Sequence, residues 1–159
     1  MRESLAAAAV DAQALTGGRA IHAEKIHLTL FFVGAFERAR IAALEAIGAS
    51  LRANAFELAL DTLGYWRRSG IVWCGARRCP ATLARLAAQL RSALEREGVR
   101  GEDRPYAPHV TLVRDAARAP REAPFAPCAW AVRDFVLVES EPFAGNMRYV
   151  VRARWPLFL

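Results

Sequence analysis

Ile26-His27-Leu28-Thr29-Leu30-Phe31-Phe32-Val33 reads as a β-strand, and its His-Leu-Thr-Leu core returns 82 positions later as His109-Val110-Thr111-Leu112. With 3 histidines and five threonines in 159 residues, random placement gives only about 0.1 His-x-Thr triplets per chain, so the pair is not an accident of composition. Along a strand, residues i and i+2 point to one face. His27 and Thr29 therefore project together while Leu28 and Leu30 turn to the core, and His109 and Thr111 do the same. Each copy is followed by about one helix and one hairpin, so the chain reads as two similar halves.

The flanking segments supply a mixture of elements. Residues 3–15 read as a helix stopped by Thr16-Gly17-Gly18. Ile41, Leu44, Ile47, Gly48 and Leu51 recur at helical spacing between Glu37 and Arg52. Phe56, Leu58 and Leu60 alternate along a strand, and residues 70–76 give its partner beyond the turn Arg67-Arg68-Ser69-Gly70. Pro80 precedes another helix, whose stripe of Leu83, Leu86, Ala87, Leu90 and Leu94 ends at Gly98. Residues 108–113, 130–139 and 147–155 read as strands. The last should present Tyr149, Val151, Ala153 and Trp155 on one face and Arg148, Arg152 and Arg154 on the other. Helices and strands mix without a regular βαβ rhythm, which makes the class α+β.

A chain of this length holds one domain, or two small lobes sharing a core. Its 54% hydrophobic content excludes disorder, and no run approaches the roughly 18 apolar residues of a membrane span. Glu3 and Asp11 bracket the early apolar run, which reads as an amphipathic helix rather than a secretion signal. A cytoplasmic protein is expected. Cys74, Cys79 and Cys128 form neither an even disulfide framework nor a zinc-ligand spacing. The net charge of +6 is nearly all arginine, Lys25 being the only lysine. Arginine binds phosphate through a planar fork, so a polyanionic partner fits; a biased genome explains the same excess.

The chemistry of the repeat follows from its residue types. Two imidazoles and two hydroxyls facing one cleft suit phosphoester cleavage. A neutral imidazole takes a proton from the attacking oxygen and an imidazolium returns one to the leaving oxygen. Histidine serves both roles because its reference pKa, about 6.5, lies near working pH. Threonine hydroxyls donate to the non-bridging phosphate oxygens. The alternatives are two structural histidines on half-buried strands, or a metal held by His27 and His109, which lack further ligands at suitable spacing. His22 reads as a loop or surface histidine.

The sequence resembles the 2H phosphoesterases, and within them the RNA 2′,3′-cyclic phosphodiesterases once called 2′-5′ RNA ligases. The resemblance is carried by residues 26–34, by Arg104-Pro105-Tyr106-Ala107-Pro108-His109-Val110-Thr111-Leu112-Val113-Arg114, by residues 135–140 and by the closing residues 149–157. It implies a bilobal α+β fold spanning 1–159, with two pseudo-symmetric lobes around a central groove. It also implies hydrolysis of RNA 2′,3′-cyclic phosphate ends to 2′-phosphomonoesters, with reversible 2′-5′ ligation as a further activity. On this resemblance His27 is the proton donor, His109 the proton acceptor, Thr29 and Thr111 bind phosphate, Arg114 contacts phosphate and Phe32 stacks on the terminal base. Tyr106 lines the groove or braces its loop. The implied partner is RNA with cyclic phosphate ends, as tRNA fragments or oligoribonucleotides, acted on by a monomer without cofactor, metal or membrane. The family usually opens with a short apolar strand before its first helix, and that strand is expected to be missing here. Competing readings are a non-catalytic or degraded RNA-end-binding module and a 2H enzyme acting on a small cyclic nucleotide. Two-histidine chemistry predicts turnover that survives excess EDTA; loss on chelation, restored by a divalent ion, would contradict it.

Overall fold

The N-terminal helix forms as expected, α1 (Arg2–Thr16), and buries Leu5, Ala9 and Ala12 on one side. The computed structural model describes residues 1–120 and 125–158. The chain folds into two compact units, each assembled from three segments. The units are therefore not the two sequence halves that the repeat suggests.

The first unit comprises Met1–Thr29, Leu58–Cys79 and Ala107–Trp130. Its centre is an antiparallel sheet of β1 (Arg19–Ala20), β3 (Thr62–Trp66), β4 (Ile71–Gly75) and β5 (His109–Arg114), in the order β1-β5-β4-β3. α1 packs on β1 and β5. Val72, Cys74, Val110, Leu112 and Val113 are fully buried, and each large side chain removed from water contributes on the order of 1.5–3 kcal/mol. Thr16 is the buried polar residue of this core, and its hydroxyl donates to the Ala12 carbonyl at 2.8 Å. The chain then enters β1 through Gly18 at φ +83°, where a Cβ would lie 2.3 Å from the Arg114 carbonyl oxygen. Only glycine fits there.

The second unit comprises Leu30–Glu57, Pro80–Tyr106 and Ala131–Leu159. It contains α2 (Ile41–Ser50), α3 (Ala81–Arg96) and the hairpin of β7 (Asp134–Phe143) with β8 (Asn146–Pro156). Its core joins Leu44, Leu94 and Val99 to Phe31, Val33, Phe36, Ile47, Leu90 and Leu137. Gly48 of α2 lies against the Trp155 ring, 2.4 Å from where a Cβ would sit. β2 (Phe56–Leu60) and β6 (Cys128–Val132) pair as a separate ribbon. Among the described residues no helix is long and apolar enough to cross a membrane.

Several expectations about elements are corrected. Residues 26–33 do not form a regular strand; the first motif touches the sheet through the single bridge Leu28↔Val110. The hairpin partner of β4 is β3, not the Phe56–Leu60 strand. The strand expected over 130–139 is broken at Arg133, whose carbonyl accepts from the Leu157 amide at 2.7 Å. The single-face pattern of the last strand also fails. Val138 pairs with Val151 and Leu137 with Ala153, so Arg152 is an extra residue and the strand changes face across it. Arg152 bonds Glu139 and Glu141, whereas Arg154, beyond the bulge, pairs with Asp134 on the other face.

None of the three cysteines is in a disulfide. Burial, reinforced by the nearby Cys128, pushes the Cys74 thiol up to about 12, so it stays a neutral, apolar core group at any ordinary pH. Alkylation of the native protein at pH 8 should label exposed Cys79 and spare Cys74 until denaturant is added, as peptide mapping would show.

Candidate active site

Burial decides how the two motifs meet. β1 pairs with β5 as Arg19↔Arg114 and Ala20↔Val113, and the Ile21 amide extends the ladder to the Leu112 carbonyl. The chain then leaves the sheet, makes the 3₁₀ turn Ala23–Lys25, and returns at Leu28 opposite Val110. Val110 is fully buried, so this antiparallel pair points into the core. The flanking positions point the other way, with 27 opposite 111 and 29 opposite 109. An antiparallel pair has a local twofold axis normal to the sheet. It relates His27-Leu28-Thr29 to His109-Val110-Thr111, and the two histidines stand diagonally across it.

Both imidazoles are held alike. His27 Nδ1 lies 2.6 Å from the Lys25 carbonyl oxygen, and His109 Nδ1 lies 2.8 Å from that of Ala107. A carbonyl oxygen only accepts, so Nδ1 carries a proton in each ring and donates it. Nε2 is then the nitrogen that exchanges protons, and it faces away from the backbone that fixes Nδ1.

On its other side β5 pairs with β4, placing Gly75 opposite His109 and Trp73 opposite Thr111. The next pair is Val72↔Val113, which leaves Leu112 as an extra residue in β5. This bulge buries Leu112 and Val113 in succession, and it turns Arg114 to the face carrying His109 and Thr111. Without it, strict alternation would put Arg114 on the α1 side. Arg114 is exposed, and its cross-strand partner Arg19 is ion-paired with Asp115.

His27, Thr29, His109, Thr111 and Arg114 thus belong to one unit, the last three in β5 and the first two beside the bridge residue Leu28, while Phe32 and Tyr106 belong to the second unit, where Phe32 is 73% exposed. His22 is an exposed residue leading into the 3₁₀ turn. The sequence reading missed Trp66 and Trp73, whose rings lie 4.5 and 6.4 Å from that of His109. The signal available for Trp73 was Gly64, a small residue that stands opposite it in the hairpin. Among the described residues no group of three or more His, Cys, Asp or Glu side chains is placed to hold a metal ion.

A family profile described as the 2'-5' RNA ligase superfamily matches residues 2–141. The chain belongs to the 2'-5' RNA ligase superfamily. Within that superfamily it is 39% identical over 141 residues to the RNA 2',3'-cyclic phosphodiesterase of Escherichia coli, covering 88% of this chain and 80% of the relative. The RNA 2',3'-cyclic phosphodiesterase of Thermus thermophilus is 36% identical, with 98% and 85% covered. A crystal structure of a phosphoesterase superposes with a TM-score of 0.86 at 34% identity, over 100% of this chain and 94% of the other. Escherichia coli LigT complexed with 3'-AMP gives 0.84 at 34% identity, over 99% and 92%. The fold is that of the 2H phosphoesterases.

The shared Nδ1 contacts have a spectroscopic consequence. Long-range ¹H–¹⁵N spectra above the titration range should show both His27 and His109 in the Nδ1–H tautomer, with His22 averaging. An Nε2–H tautomer at either motif would contradict this geometry.

Proposed function

We propose that this chain hydrolyses RNA 2′,3′-cyclic phosphate ends to 2′-phosphomonoesters, using His27 as general acid and His109 as general base. The observation that supports this most strongly is the register Leu28↔Val110, with its twofold-related histidines each held at Nδ1 by a carbonyl. Displacement at phosphorus needs the attacking and leaving oxygens on opposite sides. Diagonal positions in an antiparallel pair are roughly 7–8 Å apart, which leaves room for a phosphate on the axis with one imidazole on each flank.

His109 Nε2 takes a proton from water as its oxygen bonds to phosphorus. The P–O3′ bond breaks and His27 Nε2 gives its proton to the 3′-oxygen. The phosphate remains on the 2′-oxygen, and one proton has entered at His109 for each one leaving His27. Thr29 and Thr111 donate to the non-bridging oxygens, where charge persists through the transition state. Arg114, turned onto this face by the bulge, forks onto the phosphate. On the family resemblance Phe32, largely exposed, is the aromatic assigned to the terminal base, a kind of contact tolerant of base identity. The relatives named RNA 2',3'-cyclic phosphodiesterase support RNA as the substrate. All the named groups come from one chain, so a monomer suffices, and the free thiols support a reducing, cytoplasmic setting.

The test is incubation with an oligoribonucleotide ending in a 2′,3′-cyclic phosphate and identification of the product isomer. A 3′-phosphate, or turnover confined to small cyclic nucleotides, would contradict the reading. The rate should be bell-shaped in pH, since one imidazole must be neutral while the other is charged. His27→Ala and His109→Ala should each lower kcat by roughly 10²–10⁴. An aryl phosphodiester, whose phenolate leaves unprotonated, should rescue His27→Ala selectively; equal rescue would reverse or void the roles. Arg114→Ala should weaken binding, by less as salt rises.

A further inference from the structure

We infer that Trp66 is a positioning residue for His109, holding its imidazole in the one orientation from which Nε2 can serve the reaction. This rests on the reading of His109 as the base. The hydrogen bond from Nδ1 to the Ala107 carbonyl holds one edge of the ring. The Trp66 ring bears on its plane, edge to face, at 4.5 Å between centroids and 74° between planes.

The surroundings are arranged to put that ring there. Directly across β4 from His109 is Gly75, which offers no side chain to fill the space beside the imidazole. The Trp73 ring occupies the neighbouring space instead. It lies over Gly64, where a Cβ would come within 2.1 Å of the indole, and against Gly75, where one would come within 3.0 Å. A Cβ at Gly75 would also meet the Pro108 carbonyl oxygen at 2.9 Å. Trp73 in turn backs Trp66, with centroids 5.5 Å apart. Among the described residues the buried Trp73 Nε1 has no hydrogen-bond partner, and the indole packs against the Trp66 ring. The sequence Gly64, Trp73, Trp66, His109 is one continuous stack, and it ends on the catalytic imidazole.

The test is a cycle of variants assayed on a cyclic-phosphate-ended oligoribonucleotide. Trp66→Leu should lower kcat by between about tenfold and a hundredfold, the scale of a misaimed group, with KM within about twofold. Trp66→Phe should recover most of the rate. In a His109→Ala background Trp66→Leu should cost nothing further, because no imidazole remains to be aimed. Equal losses in both backgrounds would overturn the proposal in favour of a purely structural tryptophan. A rise in KM alone would overturn it in favour of a substrate contact. Should Trp66→Leu melt below the assay temperature, Gly64→Ala, which must displace Trp73, takes its place with the same expected pattern. Full activity of His109→Ala would instead refute the assignment of the base, and the positioning role with it.

Discussion

A register is a choice among pairings, and here it is made by the side of the sheet that faces the core. Leu28 sits opposite Val110 because both face a core already containing fully buried Val72, Cys74, Leu112 and Val113. Sliding the first motif by one residue would turn His27 and Thr29 inward and expose Leu28. Burying an imidazole and a hydroxyl without partners costs several kcal/mol, whereas the apolar pairing gains about that much. The hydrophobic effect therefore fixes the polar face, and the twofold relation of the two histidines follows from antiparallel pairing.

The face that carries the two histidines nevertheless depends on departures from regular pairing. The excursion between Ile21 and Leu28 lets one strand edge serve both β1 and the first motif. The extra residue Leu112 re-phases β5 so that Arg114 joins His109 and Thr111. Perfect alternation would have kept the ladder intact and sent the arginine to the wrong side. Exposed ion pairs such as Arg19–Asp115 add little to stability, but this one keeps the partner of Arg114 occupied with its own carboxylate.

What could be read from the sequence tracks what is periodic. The three helices carry long apolar stripes, and the two His-x-Thr triplets are chemically distinct enough to stand out from composition. The α+β class and the superfamily follow from them. The Thr62–Trp66 strand escaped because all five of its residues are half-buried, so it shows no alternation, and Gly64 reads as a breaker until Trp73 is seen lying on it. The regular strand expected at 26–33 failed because Leu28 makes an isolated bridge while Phe31 and Val33 pack in the second unit. The face change at Arg152 was invisible for the general reason that a bulge is a relation between two strands. For the same reason Trp66 could not be placed beside His109 before the hairpin was paired with β5.

One of the two inner strands of the sheet, β5, arrives late in the chain, between partners that were made long before. Its pairings join residue 19 to 114, 28 to 110 and 75 to 109. Loop-closure entropy grows slowly, by only about 0.6 kcal/mol for each doubling of length, so this order costs the finished protein little. It costs time instead. On the ribosome the β3–β4 hairpin emerges with one edge of backbone groups unmet, and α1 waits with an apolar side that has no sheet to cover. Neither unit can close from a contiguous stretch of chain, so the nascent protein passes through an interval with unpaired strand edges exposed to wrong pairing.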